Sequence, residues 1–148
     1  MTAPLENPVT VTESGNGSYA QFVKAGRHVM SADEPEAFGG HDTGPSPYEY
    51  VMAGLGACTA MTLRMYAGRH NWPLQKTSVV LRHEKIQSAD GKTKVDRFER
   101  VTYMTGGLTD QQRARLLEIA DKCPVSQILQ QSSVIVSSLA EIPASIGT

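Results

Sequence analysis

Only two of the 148 residues are cysteines, Cys58 and Cys123, and this scarcity limits the chemistry open to the chain. Two cysteines cannot by themselves form a tetrahedral zinc site, and no Cys/His spacing of the finger or ribbon type is present. No apolar run approaches the roughly 20 residues of a membrane-spanning helix. The chain also lacks a large excess of positive or negative residues. The net charge of −1, without a Lys/Arg block, argues against nucleic-acid binding.

The first seven residues lack the basic and apolar segments of a signal peptide. We therefore expect a cytoplasmic protein that does not associate with a membrane. A lasting structural disulfide is not expected in that reducing compartment, whereas a transient catalytic one is. The length predicts a single domain spanning residues 1–148.

Apolar periodicity and turn residues predict an α+β fold. Strands are expected at residues 8–13, 19–23, 27–32, 75–87, 94–106 and 133–139. Helices are expected at residues 47–70 and 110–123, with a short helical piece to about residue 130. The segregated hairpins favour antiparallel sheets over a doubly wound parallel sheet.

The helix that begins after Ser46 is the clearest element, because Ser46-Pro47-Tyr48-Glu49 forms a capping box with proline at the first helical position. Its residues are apolar on almost every side, which predicts a helix buried on most sides. Gly54 and Gly56 would let another backbone approach closely.

Residue types alone leave the role of the two cysteines open. Cys58 shares a helical stripe with Val51, Leu55 and Met65, and a cysteine there is either inert core or a reactive thiol. A reactive thiol needs a nearby cation or hydrogen-bond donor. Cys58 lies mid-helix, beyond the effective range of the helix dipole, so its donor must come from another segment or subunit. Cys123, expected as the last residue of its helix, suits a resolving thiol better than an attacking one.

Four residues are candidates for supporting the thiols: Arg27, His41, Tyr48 and Glu49. Tyr48 lies near the Cys58 stripe and could point toward the same pocket. Glu49 is explained by the capping box and lies roughly opposite Cys58 around the helix axis. His41 could line a pocket or shape a turn, and Arg27 could pair with a thiolate at the start of a strand.

Two further basic residues are expected at the surface. Arg64 lies on the cysteine helix and is interpreted as capping its far end or pairing with a surface group. His83, within Arg82-His83-Glu84-Lys85, is expected on a solvated face.

The segments from Gly40 to Ala60 and from Ile119 to Val125 resemble the signature of the OsmC/Ohr family. The family pattern places one cysteine in a central helix and the other ahead of a C-terminal strand. The resemblance implies antiparallel sheets around a central buried helix, and an intertwined homodimer with two active sites at the subunit interface. It also implies a thiol-dependent peroxidase that reduces organic or fatty hydroperoxides.

Carried onto this chain, the resemblance makes Cys58 the peroxidatic thiol, which becomes a sulfenic acid. Cys123 would be the resolving thiol that forms a disulfide with it. An external dithiol, such as a lipoylated protein, would then reduce this disulfide by exchange. No bound cofactor or metal is implied.

The chain departs from the Ohr branch, in which an arginine of the first hairpin polarises the thiolate and a glutamate orients that arginine. Here the hairpin turn carries Asn16, the glutamate position is Tyr48, and Ser126 stands where related sequences often carry histidine. The chain therefore resembles the broader OsmC-like group. Two alternatives stay open: other thiol chemistry on a sulfur-containing small molecule, and a non-enzymatic dimer with packed cysteines.

Overall fold

A computed structural model describes residues 8–141. The elements in this range are β1 (Val9–Glu13), β2 (Gln21–Ala25), β3 (His28–Ala32), a 3-10 turn (Glu36–Phe38), α1 (Pro47–Arg69), β4 (Leu74–Gln87), β5 (Lys94–Gly106), α2 (Asp110–Ala120) and α3 (Pro124–Gln130). The predicted α+β class is confirmed, since both sheets are antiparallel and lie beside α-helices. Within residues 8–141, no helix is long and apolar enough to cross a bilayer.

The first sheet has the strand order β1-β2-β3. Ser31 of β3 connects this sheet both to the loop that follows β3 and to α1. The Ser31 hydroxyl donates to the Thr43 carbonyl at 2.8 Å, and the Tyr50 hydroxyl of α1 donates to the Ser31 carbonyl. Several apolar side chains of this sheet remain exposed, including Val9, Phe22 and Val29.

Asp33 organises the loop between β3 and α1. Its buried carboxylate accepts hydrogen bonds from the backbone N–H groups of Glu34, His41 and Thr43 at 2.8, 3.2 and 3.2 Å. The Thr43 hydroxyl donates a further bond at 2.8 Å and is the main reason that the pKa of Asp33 is lowered. One carboxylate therefore pairs three backbone donors of this loop, in addition to backbone hydrogen bonds such as that from the Asp42 N–H to the Glu34 carbonyl at 3.1 Å.

The predicted capping box starts α1, with the Glu49 N–H donating to Ser46 Oγ at 3.4 Å and the Ser46 N–H donating to Glu49 Oε1 at 3.1 Å. The helix packs one side against β4 and α2. The buried residues of this side are Leu55, Gly56, Thr59, Leu63 and Ala67.

The prediction that α1 is buried on most sides is wrong for the single chain. Val51, Met61 and Met65 are 39%, 65% and 46% exposed, because no element among residues 8–141 covers that side. The two glycines also differ. A Cβ at Gly56 would lie 2.8 Å from the Leu81 side chain, so this glycine allows β4 to approach closely, whereas Gly54 faces open space.

The long β4–β5 hairpin is confirmed, with register from Leu74↔Gly106 to Gln87↔Lys94 and an irregularity between Leu74 and Lys76. One face of the hairpin supports α1, and α2 completes the core at its base. The buried core consists of Leu63, Ala67, Leu74, Leu116, Ile119 and Ala120.

The predicted strand at residues 133–139 is wrong, since residues 132–141 belong to no helix or strand. Alternating β-branched residues favour an extended backbone, but a strand also needs a partner for its hydrogen bonds. Val134, Val136 and Leu139 are 90%, 88% and 100% exposed, so the described part of the chain, residues 8–141, supplies no such partner.

Candidate functional site

Cys123 lies at the start of α3, not at the end of α2 as the sequence predicts. Helix α2 ends at Ala120, and Cys123 is the N-cap residue of α3 with extended dihedral angles of φ −64° and ψ 144°. Pro124 explains this, because proline disfavours the helical conformation in the residue before it. The buried Cys123 sulfur accepts a hydrogen bond from the Ser126 N–H at 3.3 Å.

Thr59 connects the two cysteine segments. Its hydroxyl lies 3.8 Å from Cys123 Sγ and donates to the Leu55 carbonyl of its own helix at 2.7 Å. Because Thr59 is the neighbour of Cys58 on α1, the fold brings together two segments that lie 65 positions apart in the sequence.

Cys58 is half-buried, and both cysteines are free thiols. Thr59 takes the fully buried position that faces Cys123, whereas Cys58 lies at the border of the exposed side of α1. Val51 and Met65, which share the predicted Cys58 stripe, are 39% and 46% exposed. The attacking thiol expected from the resemblance is therefore the more accessible of the two.

Arg100 of β5 is the basic residue whose hydrogen bonds, among residues 8–141, reach the contact between Thr59 and Cys123. Its Nη1 donates to Thr59 Oγ1 at 3.0 Å, and its Nη2 donates to Asp121 Oδ1 at 2.6 Å. The Arg100 side chain is only 12% exposed. Sequence reasoning missed Arg100, although its position opposite Leu81 in the hairpin register places a charge on the face toward α1.

A cavity of about 480 Å³ opens beside Arg100. Leu55, Phe98 and Leu129 form apolar walls, and Arg100 and Ser126 supply polar groups. Because Ser126 also donates to Cys123 Sγ, the cavity reaches the immediate surroundings of the second cysteine.

Tyr48 points to the hairpin and stacks on His83, with ring centroids 4.4 Å apart and an interplanar angle of 19°. Phe98 packs against the same imidazole at 4.9 Å. The expectation that His83 lies on a solvated face is wrong, since its side chain is 13% exposed and its Nε2 lies 2.8 Å from Asp96 Oδ1. This contact is the main cause of the lowered pKa of Asp96, followed by the hydrogen bond from Lys85.

Of the other predicted supporting residues, Glu49 and His41 make local contacts and Arg27 is exposed. Glu49 caps α1, and hydrogen bonding from Ser46 lowers its pKa. The His41 ring packs against the first hairpin turn, where a Cβ at Gly17 would come within 2.3 Å of it. Arg27 is exposed in the turn before β3. Within residues 8–141, no hydrogen bond or ion pair joins these side chains to either thiol.

Arg64 bridges α1 to the irregular start of β4. Its Nη1 and Nη2 donate to the Leu74 and Gln75 carbonyls at 2.5 and 2.9 Å, so it braces the fold instead of capping the helix end. Among residues 8–141, no group of three or more His, Cys, Asp or Glu side chains could hold a metal ion.

The sequence model of the OsmC-like protein family matches residues 40–138, which include both cysteine segments and Arg100. The chain belongs to the OsmC-like protein family. The resemblance inferred from the two cysteine motifs is thereby confirmed. A comparison with curated proteins gives no match.

Solved structures of OsmC-like and hydroperoxide resistance proteins share this fold. An OsmC-like protein from Mycoplasma pneumoniae superposes with a TM-score of 0.71 at 13% identity, covering 86% of this chain and 89% of that one. The organic hydroperoxide resistance protein OsmC from Legionella pneumophila gives 0.64 at 19% identity, covering 85% and 90%. OhrB of Bacillus subtilis, also an organic hydroperoxide resistance protein, gives 0.59 at 20% identity, covering 84% and 90%.

Proposed function

We propose that this OsmC-like protein is a thiol-dependent peroxidase that reduces organic or fatty hydroperoxides to alcohols. The observation that carries the proposal is the junction of the two cysteine segments, where Thr59, the neighbour of Cys58, lies 3.8 Å from Cys123 Sγ. Two free thiols on adjoining segments are the components of a cycling dithiol. The hydroperoxide resistance function named for the Legionella and Bacillus proteins agrees with this chemistry.

The proposed reaction assigns a different task to each thiol. The Cys58 thiolate attacks the peroxide O–O bond, which breaks to give a Cys58 sulfenic acid and an alkoxide that takes up a proton and leaves as the alcohol. The Cys123 thiol then attacks the sulfenic sulfur, forming the Cys58–Cys123 disulfide and releasing water. The greater exposure of Cys58 suits it to meet the peroxide, and the buried Cys123 is protected from direct oxidation.

An external dithiol closes the cycle in this proposal. Both cysteines of the chain take part in the disulfide, so the two electrons that reduce it must come from outside the chain. A lipoyl-type dithiol carried by a partner protein has the required chemistry, because its own disulfide closes in a ring. We retain the sequence-based expectation of a cytoplasmic location, where such reductants are maintained.

A titration with cumene hydroperoxide tests the activity. One equivalent should convert both free thiols of the wild-type protein into an intramolecular disulfide. The disulfide is detected by mass spectrometry as a loss of about 2 Da, the mass of two hydrogens. Cys58→Ser should abolish turnover. Cys123→Ser should still react once and accumulate a sulfenic or over-oxidised Cys58.

Survival of both thiols in excess peroxide, with the fold intact by circular dichroism, would contradict the proposal. Slow reaction with peroxides but rapid reaction of Cys58 with another electrophile would instead favour the alternative thiol chemistry. Packed, inert cysteines would react with neither reagent in the folded protein.

We also propose that the active form is an intertwined homodimer. Apolar side chains remain uncovered on three separate surfaces of the single chain: the first sheet, the Val51–Met65 side of α1, and residues 132–141. Contiguous exposed apolar surface of this kind is characteristic of subunit interfaces. Because Cys58 borders the uncovered side of α1, a second copy seated there would enclose the attacking thiol and could supply its missing cation.

A further inference from the structure

Thr59 stands between the two cysteine segments with all of its hydrogen-bonding capacity in use. The side chain is fully buried, and its hydroxyl donates to the Leu55 carbonyl at 2.7 Å. The same oxygen accepts from Arg100 Nη1 at 3.0 Å and lies 3.8 Å from Cys123 Sγ. Because a hydroxyl has one donor and two acceptor sites, these three partners satisfy Thr59 when the Cys123 thiol donates to it.

The contact between Thr59 and Cys123 suits both protonation states of the sulfur, since either atom can be the donor. A neutral Cys123 thiol donates to Thr59 Oγ1. A negatively charged sulfur receives the hydroxyl proton instead, once the hydroxyl turns away from the Leu55 carbonyl. The Ser126 N–H, at 3.3 Å from Sγ, is a second donor that serves in both states. Cys123 therefore keeps its position while its proton leaves.

Arg100 gives this network a nearly buried positive charge. Its side chain is 12% exposed, whereas that of Asp121, which accepts from Nη2 at 2.6 Å, is 72% exposed. Water therefore screens the carboxylate more than the guanidinium. Because Nη1 donates to Thr59 Oγ1, the hydroxyl is polarised and becomes a stronger donor toward sulfur.

The network lies within one chain. Thr59 is on the side of α1 that packs against other elements of the same chain, not on the Val51–Met65 side that a second copy would cover. A partner that encloses Cys58 and supplies its cation would therefore not displace the contacts that run from Arg100 through Thr59 to Cys123. The two thiols thus have separate polar partners.

We propose that Arg100 and Thr59 are positioning residues for the second step of the reaction, the attack of Cys123 on the Cys58 sulfenic acid. The proposal rests on the peroxidase function, because that function forms the sulfenic acid. The Cys123 sulfur bonds to the Cys58 sulfur, the S–O bond breaks, and hydroxide leaves with its electron pair. The hydroxide takes the proton released by Cys123 and becomes water. The Cys58 sulfur is reduced and the Cys123 sulfur is oxidised, so the step needs no further reagent.

The speed of this step decides the fate of Cys58. A sulfenic acid that persists can react with a second peroxide to give a sulfinic acid, which thiols do not reduce. For a thiol that is mostly protonated, donors that favour the thiolate accelerate attack, because the gain in thiolate fraction exceeds the loss of nucleophilicity. Arg100 and Thr59 thereby protect Cys58 from irreversible oxidation.

The first test separates the two steps. Wild-type and variant proteins are mixed with cumene hydroperoxide, quenched at intervals with acid or dimedone, and analysed by mass spectrometry. Arg100→Gln and Thr59→Val should form the sulfenic acid as fast as the wild type but close the disulfide about three- to tenfold more slowly, the factor that one hydrogen bond supplies. Sulfinic Cys58 should accumulate as a result. Equal slowing of both steps, or no slowing of closure in the folded variants, would overturn the proposal.

Conservative variants separate the hydroxyl from the shape of the side chain. Thr59→Val keeps the shape and removes the hydroxyl, whereas Thr59→Ser keeps the hydroxyl and should restore most of the closure rate. Arg97→Gln is the matched control, since Arg97 lies on the same strand as Arg100 but pairs with exposed Glu84 at 2.8 Å. Slow closure in Thr59→Ser together with fast closure in Thr59→Val would assign the effect to packing and contradict the proposal.

A second test avoids peroxide. Dithiobis(nitrobenzoate) forms a mixed disulfide on Cys58, which Cys123 attacks, and the coloured nitrothiobenzoate leaves as a thiolate. Its release should slow by the same factor in Arg100→Gln and Thr59→Val, and unchanged release would refute the role of these residues. A protein that resists cumene hydroperoxide but shows this slowed release would refute the peroxidase and keep the positioning role.

Discussion

The body of the molecule, formed by α1, α2 and the β4–β5 hairpin, differs from the two ends of the described chain in where its apolar side chains lie. In the body, Leu63 and Leu116 have no exposed surface. At the ends, Val29 of β3 is 66% exposed and Val134 is 90% exposed. Apolar composition alone therefore does not identify the core. What distinguishes the body is that its elements cover one another within a single chain.

Polar contacts reinforce the same division. Arg113 of α2 donates to the Met104 and Gly106 carbonyls at 2.8 and 3.2 Å, and Arg64 of α1 donates to carbonyls at the start of β4. Both helices are thereby tied to the open end of the hairpin, where the start of β4 pairs with the end of β5. Residues 132–141 have no comparable ties among the described contacts. We infer that the packed side of the body stabilises one chain, and that the two ends together with the Val51–Met65 side of α1 provide the surface for association.

The largest effect is expected from a cavity in the body. Leu116→Ala should lower the free energy of unfolding by about 2–5 kcal/mol, because its fully buried side chain leaves a void. Leu117→Ala, the neighbouring substitution at a 58% exposed position, should cost less than about 1 kcal/mol. Urea unfolding followed by circular dichroism measures both free energies of unfolding. Equal losses in the two variants would contradict the distinction between body and surface.

A charge in the C-terminal segment tests the proposed role of the ends. Val136→Asp should weaken the proposed homodimer by about 1.5–3 kcal/mol for each copy, the contribution of burying one valine side chain. Ser137→Asp places the same charge one position along and serves as the control. Sedimentation equilibrium over a concentration series gives the dissociation constants. If Val136→Asp dimerises as tightly as the wild type, the segment is not part of the interface.

Sequence patterns predicted the elements whose signals are local. The capping box at Ser46 and Glu49 and the alternation of β4 and β5 need only neighbouring residues to be recognised. The OsmC/Ohr resemblance likewise rested on short segments around Cys58 and Cys123. The fold class and the family followed from these signals.

Features that depend on distant contacts escaped the same reasoning. Arg100 reaches Thr59 across 41 positions, and only the hairpin register places it on the face toward α1. The charged neighbours of His83 predict a solvated side chain, but Tyr48 and Phe98 pack against its ring. The segment at residues 133–139 has the sequence of a strand, and its missing partner could not be deduced from that sequence.

A moderate effect is expected where Arg64 braces the body. Arg64→Gln should lower the free energy of unfolding by about 1–2 kcal/mol, because the Leu74 and Gln75 carbonyls lose a charged donor. Arg69→Gln, in the exposed last turn of α1, is the matched control and should be near neutral. Thermal unfolding compares the two variants, and a larger loss for Arg69→Gln would contradict the bracing role.

The smallest effect concerns pH and the Asp33 loop. Hydrogen bonds, chiefly from the Thr43 hydroxyl, lower the pKa of Asp33 in the folded protein. Its contribution to stability is therefore present above the unfolded value of about 3.9 and is lost as pH falls through the lower folded value. Asp33→Asn should remove this part of the acid sensitivity, whereas Asp42→Asn, at an exposed position of the same loop, should retain it. Unfolding temperatures measured between pH 6 and pH 2.5 test the difference. If the unfolding temperatures of wild type and Asp33→Asn fall in parallel with pH, protonation of Asp33 does not destabilise the loop. Other contacts then hold the first sheet, which this loop joins to α1.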